Sequence, residues 1–341
     1  MSARSGWQRA IERVTLRNLP SGPADSSETT FSVVICAYTE ERWDDLVASI
    51  GSVAAQSHPA LETIVVVDHN PSLLARVRSL PVTAIASTAS SRGLSGARNT
   101  GVAAASGSVI AFLDDDAAAE RDWLAVLAAA YRDDGVIGAG GSAAPVWEAG
   151  RPAWFPVEFD WVVGCSYRGL PLQRSTIRNL MGCNMSFRRE AFELVGGFDA
   201  AVGRIGRRPV GAEETEFCIR LLRHMPDASL IYDPAARVRH HVPAARGTWT
   251  YFRSRCIGEG RSKATIGRMV GSRSGLASEA RYATRVLPTA FLRSITRAIP
   301  ERSFDPWRRA AAIAAGLGFT VAGYLLGRAS GRPAASTVPE G

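Results

Sequence analysis

Residues 92–116, RGLSGARNTGVAAASGSVIAFLDDD, decide the fold of this 341-residue chain. The first part, SGARNTGVAAAS, has a helix-like pattern, and the second part, SVIAFL, is a short apolar run typical of a buried strand. Three aspartates, Asp114, Asp115 and Asp116, follow that run directly. The segment therefore predicts a helix that leads into a buried strand, with acidic side chains where the strand ends.

The segments before it show the same alternation. FSVVICAY (31–38), LETIVVVD (61–68) and PVTAIAS (81–87) are apolar runs that predict strands, and WDDLVASIGSVAAQ (43–56) has apolar residues at helical spacing. Strands that alternate with helices predict a parallel sheet covered on both faces, a three-layer α/β domain. Such sheets bind ligands at the carboxyl ends of their strands, where Asp68 and the three aspartates are expected.

The second part of the chain is less regular. Residues 145–167, PVWEAGRPAWFPVEFDWVVGCSY, are rich in aromatic side chains and predict a loop-rich region that faces the substrate. GAEETEFCIRLLRHM (211–225) has one apolar helical face, which places Glu213 and Glu214 in the first turn of a helix. A short strand, ASLIYD (228–233), is predicted next.

Composition narrows the class of protein. With 46% hydrophobic and 21% charged residues, the chain is neither disordered nor of low complexity. The five cysteines are odd in number and contain no CxxC pair, which argues against a disulfide framework and a zinc site and favours a reducing cytosol. The first 30 residues lack the apolar segment of a signal peptide, so we interpret them as an arm and linker.

Charge is distributed unevenly along the chain. Residues 250–341 contain 15 basic and 5 acidic residues, whereas residues 1–249 contain 25 and 27. Such a basic tail is typical of binding to an anionic surface, either phospholipid or nucleic acid, or of a solvated face. Because the tail has few interleaved aromatics and no recognised nucleic-acid module, we expect no nucleic-acid partner.

The three aspartates repel one another, and a divalent cation beside them would offset that repulsion. The alternative is a solvated turn in which one aspartate caps the next helix. Two further sets of groups, Glu213/Glu214 and His240/His241, also lie at the ends of predicted elements. This combination favours Mg²⁺ or Mn²⁺ bound to a diphosphate.

The sequence has neither a GxxxxGK[ST] loop nor a GxGxxG motif after its first strand, so a metal and side chains must hold any diphosphate. Arg92 and Arg98, in a glycine-rich segment, are candidates for contacting nucleotide oxygens. Alternatively, the glycines shape a turn and the arginines lie on the surface.

The chain resembles the family-2 glycosyltransferases over about residues 31–245. The resemblance rests on five segments in order: FSVVICAY, IVVVDHN, RGLSGARNTGVAAASGSVIAFLDDDA, GCNMSFRREAFELVGGFD and GAEETEFCIRL. It implies a GT-A fold, a Rossmann-like three-layer α/β/α arrangement with a mostly parallel central sheet. It also implies an inverting, single-displacement transfer from a nucleotide-sugar donor.

The resemblance further implies roles for particular residues. The donor base would lie near Asp68, the ribose near Asp114 or Asp115, and the diphosphate on a metal held by Asp116, with His240 or adjacent His241 completing the metal site. Glu214 stands at the position of the catalytic base, which is usually Asp in this family, and either Glu213 or Glu214 could act. The other implied residues are Ala37, Tyr38 and Glu40 on the donor side and Gly197, Phe198 and Asp199 near the acceptor.

General chemistry supports these roles. A sugar hydroxyl has a pKa far above 7, so its attack needs a carboxylate as general base. We expect the helix N-terminus to hold Glu214 ionised. A metal at Asp116 would neutralise the charge that develops on the leaving diphosphate. Trp161 could stack on a sugar ring, although core packing is the more usual role of a tryptophan. No site residue is predicted beyond His241.

Two segments of the tail bear on membrane binding. Leu287, Phe291, Ile295 and Ile299 recur at every fourth residue with arginines between them, which predicts a basic amphipathic helix. That helix suits an anionic membrane surface or docking on the catalytic domain. The 18 uncharged residues from Ala310 to Gly327 are just long enough to span a bilayer, but their alanine and glycine content favours a shallow or re-entrant segment.

These inferences divide the chain into an arm (1–30), a GT-A catalytic domain (31–249) and a basic helical tail (250–341). The catalytic domain comprises a nucleotide-binding half (31–120) and an acceptor-binding half (121–249). The predicted activity is metal-dependent transfer of a hexose, preferably from a UDP-sugar, to a hydroxyl of a saccharide, lipid or small-molecule acceptor. We expect a cytoplasmic enzyme, peripheral at the inner face of the cell membrane. The alternatives are a polyprenyl-phosphate glycosyl transferase, which needs no strong base, and a non-catalytic subunit that binds nucleotide or lipid.

Overall fold

The computed structural model describes residues 29–90, 92–200, 212–270, 281–301 and 303–329. The arm predicted for residues 1–30 lies outside the described residues except for its last two positions.

The described residues form one nine-stranded sheet with helices on both faces. The strands are β1 (Phe31–Ala37), β2 (Glu62–Val67), β3 (Thr83–Ala86), β4 (Val109–Asp114), β5 (Ala117–Ala119), β6 (Val136–Trp147), β7 (Ser175–Ile177), β8 (Asn184–Arg188) and β9 (Ser229–Val242). The α-helices are α1 (Trp43–Ala54), α2 (Pro71–Val77), α3 (Leu94–Ala104), α4 (Trp123–Ala130), α5 (Arg189–Val195), α6 (Glu213–His224), α7 (Trp249–Val270), α8 (Leu287–Glu301) and α9 (Asp305–Ala329). Short 3₁₀ turns cover Glu40–Arg42, Val157–Val163 and Ala244–Gly247, and a π-helical turn covers Tyr282–Val286.

The sheet has the strand order β3-β2-β1-β4-β8-β6-β9-β5, and β7 also pairs with β9. The first four strands are parallel neighbours, as are β6 and β9, whereas β8, β5 and β7 pair antiparallel. Alternate residues of β1 enter different cores: Val33 and Ile35 lie on one side of the sheet and Val34 on the other. The predicted strands at 31–38, 61–68 and 81–87 and the predicted α/β layering are confirmed.

The topology brings separate strand ends together. In the parallel part, Cys36 of β1 lies opposite Asp114 of β4, and Ala37 lies opposite Val67 of β2. The carboxyl ends of β1, β2 and β4 therefore share one edge of the sheet, and the acidic residues that follow β2 and end β4 lie along it.

Strand β9 is longer than the sequence predicts. Instead of ending near Asp233, it continues to Val242 because β6 pairs along its length and β5 pairs with its last part. In that last part, His240 lies opposite Ala117, the residue that follows the three aspartates. The length of β9 therefore carries His240 to the acidic turn.

Helices α7, α8 and α9 pack against the aromatic segment at residues 145–167. Phe252 and Cys256 of α7, Leu287 of α8 and Ile313 of α9 share one buried core with Phe159. Of the two roles predicted for the 287–299 helix, its apolar face thus takes the docking role. Arg293 and Arg297 of this helix are exposed, as is Arg285 in the π-helical turn before it, and the side chain of Ile299 lies outside the described residues.

Helices α7 and α9 approach each other closely at glycines. A Cβ atom on Gly260 would lie 2.1 Å from the carbonyl oxygen of Thr320, and one on Gly323 would lie 2.2 Å from that of Ile257. Within the described ranges, α9 is the one helix long and apolar enough to cross a membrane, and a third of its apolar stretch is buried in the protein. It is continuous over 25 residues, and its outer face exposes Val321, Leu325 and Leu326.

Candidate active site

Asp116 lies in the turn between β4 and β5, and its side chain is almost fully buried. Its Oδ1 lies 3.2 Å from Nε2 of His240, while Oδ2 accepts a hydrogen bond from Arg246 (3.1 Å) and lies 3.3 Å from Nη1 of Arg42. Burial by itself would raise the pKa of Asp116, but His240 and the two guanidinium groups hold that pKa well below its usual value. Asp116 is therefore ionised at neutral pH, as a metal ligand must be.

The two preceding aspartates have different surroundings. Asp114 ends β4 with a third of its side chain exposed, and its Oδ1 lies 3.6 Å from Nη2 of Arg98. Asp115 is buried and accepts a hydrogen bond from Nη1 of Arg42 at 2.8 Å. Burial raises the pKa of Asp115 to about 7 although Arg42 opposes the shift. Its Oδ2 has no hydrogen-bond partner among the described residues, and such a buried polar atom requires an explanation, of which an absent ligand is one.

Asp114, Asp116 and His240 form a candidate metal group. Their ligand atoms all lie within 4.8 Å of one another. Burial would lower the pKa of the His240 imidazole, but the charge and the hydrogen bond of Asp116 raise that pKa well above its usual value. Two carboxylates and an imidazole are ligands that Mn²⁺ accepts, and Mg²⁺ accepts the carboxylates. The residues present therefore fit the divalent cation predicted from the sequence.

The two adjacent histidines lie in different environments. His241 is partly exposed, and its Nδ1 lies 2.9 Å from Oδ2 of Asp45, whose hydrogen bond raises the pKa of His241. The different environments of His240 and His241 follow from the alternation of side chains along a strand, because successive side chains of β9 point to opposite faces of the sheet. The structure therefore brings His240, and not His241, into the group with the aspartates.

The residues predicted to bind the donor gather at the edge where β1 and β2 end. Asp68 is buried; its Oδ2 accepts a hydrogen bond from the Gly93 amide at 3.0 Å, and its Oδ1 lies 2.7 Å from Nδ1 of His69. Arg92 donates a hydrogen bond to the His69 carbonyl oxygen at 2.9 Å, so it lies at the same edge of the sheet as Asp68. The remaining predicted residues, Ala37, Tyr38 and Glu40, lie at the end of β1 and in the turn after it, where Tyr38 is half exposed and Glu40 accepts a hydrogen bond from Ser72.

Arg98 links the acidic turn to the glutamate pair. It is 2% exposed, and its Nη1 donates to Oε1 of Glu213 at 2.8 Å. Its Nη2 donates to the Gly182 carbonyl oxygen at 2.9 Å and lies 3.6 Å from Oδ1 of Asp114. This guanidinium is thus occupied by protein groups rather than directed at solvent, which favours a positioning role. A direct contact of Arg98 with the donor stays a prediction.

Glu213 and Glu214 begin α6, as the sequence predicts. Glu213 is buried, and its second carboxylate oxygen accepts a hydrogen bond from the Ala212 amide at 3.1 Å. Ala212 has a φ of +113°, a conformation that is strained for any residue other than glycine, and such strain concentrates at functional sites. The backbone at the start of α6 is therefore fixed by local interactions.

Glu214 is half-buried, and burial raises its pKa to about 8, with a further contribution from the charge of Glu213. The prediction that the helix N-terminus holds Glu214 ionised is wrong, because desolvation and the neighbouring charge outweigh the helix dipole. A carboxylate whose pKa lies near neutrality is well suited to accept a proton from a substrate.

A cavity of about 470 Å³ adjoins these groups. Asp114, Arg98, Glu213 and Glu214 line its polar part. Trp161 also lines it and donates a hydrogen bond from Nε1 to the Tyr282 hydroxyl at 3.2 Å. Trp161 therefore combines the two roles considered from the sequence, since it packs on Phe159 and also faces the cavity.

The segment Gly197–Asp199, predicted to lie near the acceptor, does not line this cavity. Phe198 is 3% exposed and packs in the core beneath Arg98, whose guanidinium carbon lies 5.6 Å from the ring centroid. Asn99 bonds both the amide and the carbonyl of Phe198 at 2.8 Å, which fixes this loop to α3. These contacts give the segment Gly197–Asp199 a structural role. Its contact with an acceptor stays a prediction.

Sequence reasoning missed the contribution of the tail to the cavity. Three charged residues of α7, Arg255, Glu259 and Lys263, line it at a spacing of four residues. Leu287 of α8 and four residues of α9, Leu317, Thr320, Val321 and Tyr324, also line it. The only signal in the sequence was the polar segment RSRCIGEGRSKA, whose charges recur on one helical face. Without the fold, nothing indicates that this face turns toward Glu214.

The sheet topology, the acidic turn with its candidate cation group and the glutamate pair across one cavity are together typical of the GT-A class of glycosyltransferases. The family model "Glycosyl transferase family 2" matches residues 32–196. The chain is 37% identical to the glucosyl-dolichyl phosphate glucuronosyltransferase of Haloferax volcanii over 230 residues, which are 65% of this chain and 73% of the relative. The chain belongs to glycosyltransferase family 2 and is a glycosyltransferase, so the predicted family and enzyme class are confirmed.

Solved structures share the fold. One is the mannosyltransferase PcManGT from Pyrobaculum calidifontis in complex with GDP-Man and Mn²⁺. It superimposes with a TM-score of 0.52 at 19% identity, and the match covers 92% of this chain and 93% of the PcManGT chain. GalNAc-T7 with UDP, GalNAc and Mn²⁺ gives a TM-score of 0.50 at 18% identity, over 81% of this chain and 59% of that protein. At such identities the likeness concerns the fold alone, and the predicted GT-A fold is confirmed.

Proposed function

We propose that this glycosyltransferase moves a sugar, with inversion at the anomeric carbon, from a nucleotide diphosphate sugar to a hydroxyl of its acceptor. The observation that carries the proposal is the shared cavity, which is lined by Asp114 of the acidic turn and by Glu214 of α6. A donor held at the acids and an acceptor beside Glu214 would meet there. Base and diphosphate would then flank the anomeric carbon, as in-line displacement requires.

The donor would lie along the edge formed by β1, β2 and β4. In this proposal Asp68 binds the base and Asp114 or Asp115 the ribose, and the unpaired Oδ2 of Asp115 supports a ligand contact there. A UDP-sugar is favoured, since the buried carboxylate of Asp68 can accept a hydrogen bond from the uracil imino group. The nucleotide complexes of both solved neighbours support a nucleotide-sugar donor.

Asp116 and His240, with Asp114, would hold Mg²⁺ or Mn²⁺. When bound, the cation would neutralise the negative charge that develops on the departing diphosphate. Arg42 and Arg246 contribute by keeping Asp116 ionised and therefore able to act as a ligand.

Glu214 would act as the general base. It accepts the proton of the acceptor hydroxyl while that oxygen forms a bond to the anomeric carbon and the bond from this carbon to the diphosphate oxygen breaks. Glu213 would be a positioning residue, because its carboxylate is held by Arg98 and by the Ala212 amide. This division of roles assigns proton transfer to the glutamate whose pKa is raised toward neutrality.

The acceptor would be a saccharide, lipid or small molecule, with a lipid-linked sugar favoured. The name of the Haloferax relative refers to a lipid-linked sugar, glucosyl-dolichyl phosphate, which offers hydroxyl groups. Membrane association at the cytoplasmic face would rest on the exposed apolar face of α9 and the exposed arginines of α8. A transferase that acts on polyprenyl phosphate itself would not need Glu214, which is why we favour a hydroxyl acceptor.

The test is a screen of UDP-, GDP- and dTDP-sugars for release of free sugar by the purified full chain, with Mn²⁺ and with EDTA. Wild-type protein should hydrolyse at least one donor in a metal-dependent way, and the Asp44→Ala protein, altered at an exposed acid outside the site, should match it. Proton NMR of the first transferred product then reports the anomeric configuration. A retained configuration, or hydrolysis that EDTA leaves unchanged, would contradict the proposal.

A further inference from the structure

A second cavity, here called the arginine cleft, lies between the aromatic segment at residues 145–167 and the tail helices, and has a volume of about 330 Å³. Residues 151–158, helix α8 and the start of α9 form most of its walls. Five arginines line it: Arg151, Arg168, Arg293, Arg297 and Arg309. Glu158 is the one acid among the described residues that line it, and none of the residues proposed to bind the donor, the cation or the acceptor proton does so.

Two of the five arginines are neutralised by carboxylates. Arg151 donates hydrogen bonds to both carboxylate oxygens of Asp160, at 2.6 and 2.7 Å. Nη1 of Arg168 donates to Oε1 of Glu158 at 3.1 Å. Both carboxylates at the cleft are therefore already paired.

The other three arginines have no carboxylate partner in the described part of the chain. Nε of Arg309 donates to the Ala153 carbonyl oxygen at 3.2 Å, which holds this guanidinium against the wall of the cleft without neutralising it. Arg293 and Arg297 are four residues apart on α8, so they share one helix face, and like charges at this spacing repel each other. Five arginines less two in ion pairs leave three uncompensated positive charges around the cleft.

From this excess charge we infer that the arginine cleft binds the phosphate group of a phosphate monoester, carried by a soluble molecule or by a lipid head group. Guanidinium groups present pairs of N–H donors that match phosphate oxygens. A monoester carries about −1.5 to −2 charges near pH 7 and has three free oxygens, so it offsets most of the excess and can contact arginines of α8 and α9 together. A phosphate diester has less charge and fewer free oxygens, and should bind more weakly.

The size of the cleft limits the rest of the ligand. A volume of about 330 Å³ lies at the lower end of the ~300–1,000 Å³ usual for small-molecule sites, which leaves room for a phosphate with a small substituent. A bound phosphate would join α8 and α9 to residues 151–158 and should therefore stabilise the folded protein. The inference goes beyond the proposed function and does not depend on it.

The experiment measures binding of glycerol 3-phosphate and dimethyl phosphate to the full chain by calorimetry, together with thermal unfolding. Glycerol 3-phosphate should bind at least ~10-fold more tightly than the diester and should raise the melting temperature. Arg293→Gln and Arg297→Gln should each weaken its binding ~10-fold, and without ligand neither should lower the melting temperature, because each relieves a like-charge contact. Arg285→Gln and Arg308→Gln are the matched controls, since these exposed cations of the same tail line neither cavity.

A third probe, dihexanoyl phosphatidic acid, distinguishes the two sources of the phosphate. Tighter binding of this lipid than of glycerol 3-phosphate, lost in Arg293→Gln, would support the cleft and assign it to a lipid head group. Equal binding of the two would support the cleft with a soluble ligand.

Several results would overturn the site. Equal binding of dimethyl phosphate would contradict recognition of a monoester. An unchanged affinity in Arg293→Gln and Arg297→Gln would place the phosphate elsewhere, and an equal loss in the two controls would reduce the effect to the general charge of the tail. Competition by UDP would assign the phosphate to the donor site. Failure of wild-type donor hydrolysis, by contrast, would count against the proposed function and not against the arginine cleft.

Discussion

Glu214→Gln should mainly lower the rate of transfer, whereas Glu213→Gln should mainly lower stability, although the two residues are adjacent. Glutamine keeps the shape of Glu214 but cannot accept the proton of the acceptor, and loss of a general base typically lowers the rate ~10²–10⁴-fold. That range corresponds to about 3–5 kcal/mol in activation free energy. The melting temperature should not fall, because the substitution removes a charge that lies next to Glu213 and whose ionisation burial disfavours.

Glu213→Gln should act mainly on stability. It leaves the guanidinium of Arg98, 2% exposed, without its charged partner at 2.8 Å. Breaking a buried ion pair costs about 3–5 kcal/mol in the free energy of unfolding, and the low end applies because the amide oxygen can still accept a hydrogen bond. Its turnover should decline less than that of Glu214→Gln once the folded fraction is taken into account.

Because the pKa of Glu214 is raised, both the kcat/KM and the free energy of unfolding of the wild type should depend on pH. In the proposed mechanism the ionised carboxylate is the active base, so kcat/KM should rise with pH up to about 8. Stability has the opposite sign: between its usual pKa of 4.5 and about 8, the folded protein keeps a proton on Glu214 that the unfolded chain has released. The free energy of unfolding should therefore fall as pH rises through this window, and Glu214→Gln should remove that part of the slope.

The assays are steady-state transfer or donor hydrolysis between pH 5 and 9, UDP binding by calorimetry, and thermal unfolding of the two variants beside wild type. UDP affinity should be nearly the same in wild type and Glu214→Gln. The reasoning is refuted if Glu214→Gln retains wild-type kcat, or if Glu213→Gln is the inactive variant while it melts at the wild-type temperature.

Three further predictions concern other parts of the molecule. Asp116→Ala should abolish transfer and the Mn²⁺ dependence of UDP binding measured by calorimetry, and equal UDP affinity with and without Mn²⁺ in wild type would contradict this. Gly323→Ala should destabilise the fold by about 1–3 kcal/mol, because its Cβ would lie 2.2 Å from the Ile257 carbonyl oxygen, whereas Gly318→Ala, with open space around it, should be neutral or stabilising by up to ~1 kcal/mol in thermal unfolding. The double variant Leu325→Asp/Leu326→Asp should release the protein from anionic liposomes at high salt in flotation assays, where wild type stays bound; a wild type that does not float even at low salt would rule out membrane binding.

The sequence by itself determined the elements of the nucleotide-binding half. The apolar runs that end at Ala37, Val67 and Asp114 are each buried on both faces, so their strand character could be recognised without any partner. The position of Glu213 and Glu214 in the first turn of α6 followed equally from helical periodicity. The order of these motifs was also sufficient to identify the glycosyltransferase family.

Only the tertiary structure decided which charged groups meet. His240 and His241 are indistinguishable in the sequence, and the pairing of β9 with β5 turns the first toward Asp116 and the second toward Asp45. The pKa of Glu214 depends on burial by elements distant in sequence. The position of Glu214 in the helix therefore predicts an ionised carboxylate, whereas burial raises its pKa. Arg255 and Lys263 of α7 line the cavity, and α7 packs closely on α9 at Gly260 and Gly323; local periodicity carries no information about such long-range contacts.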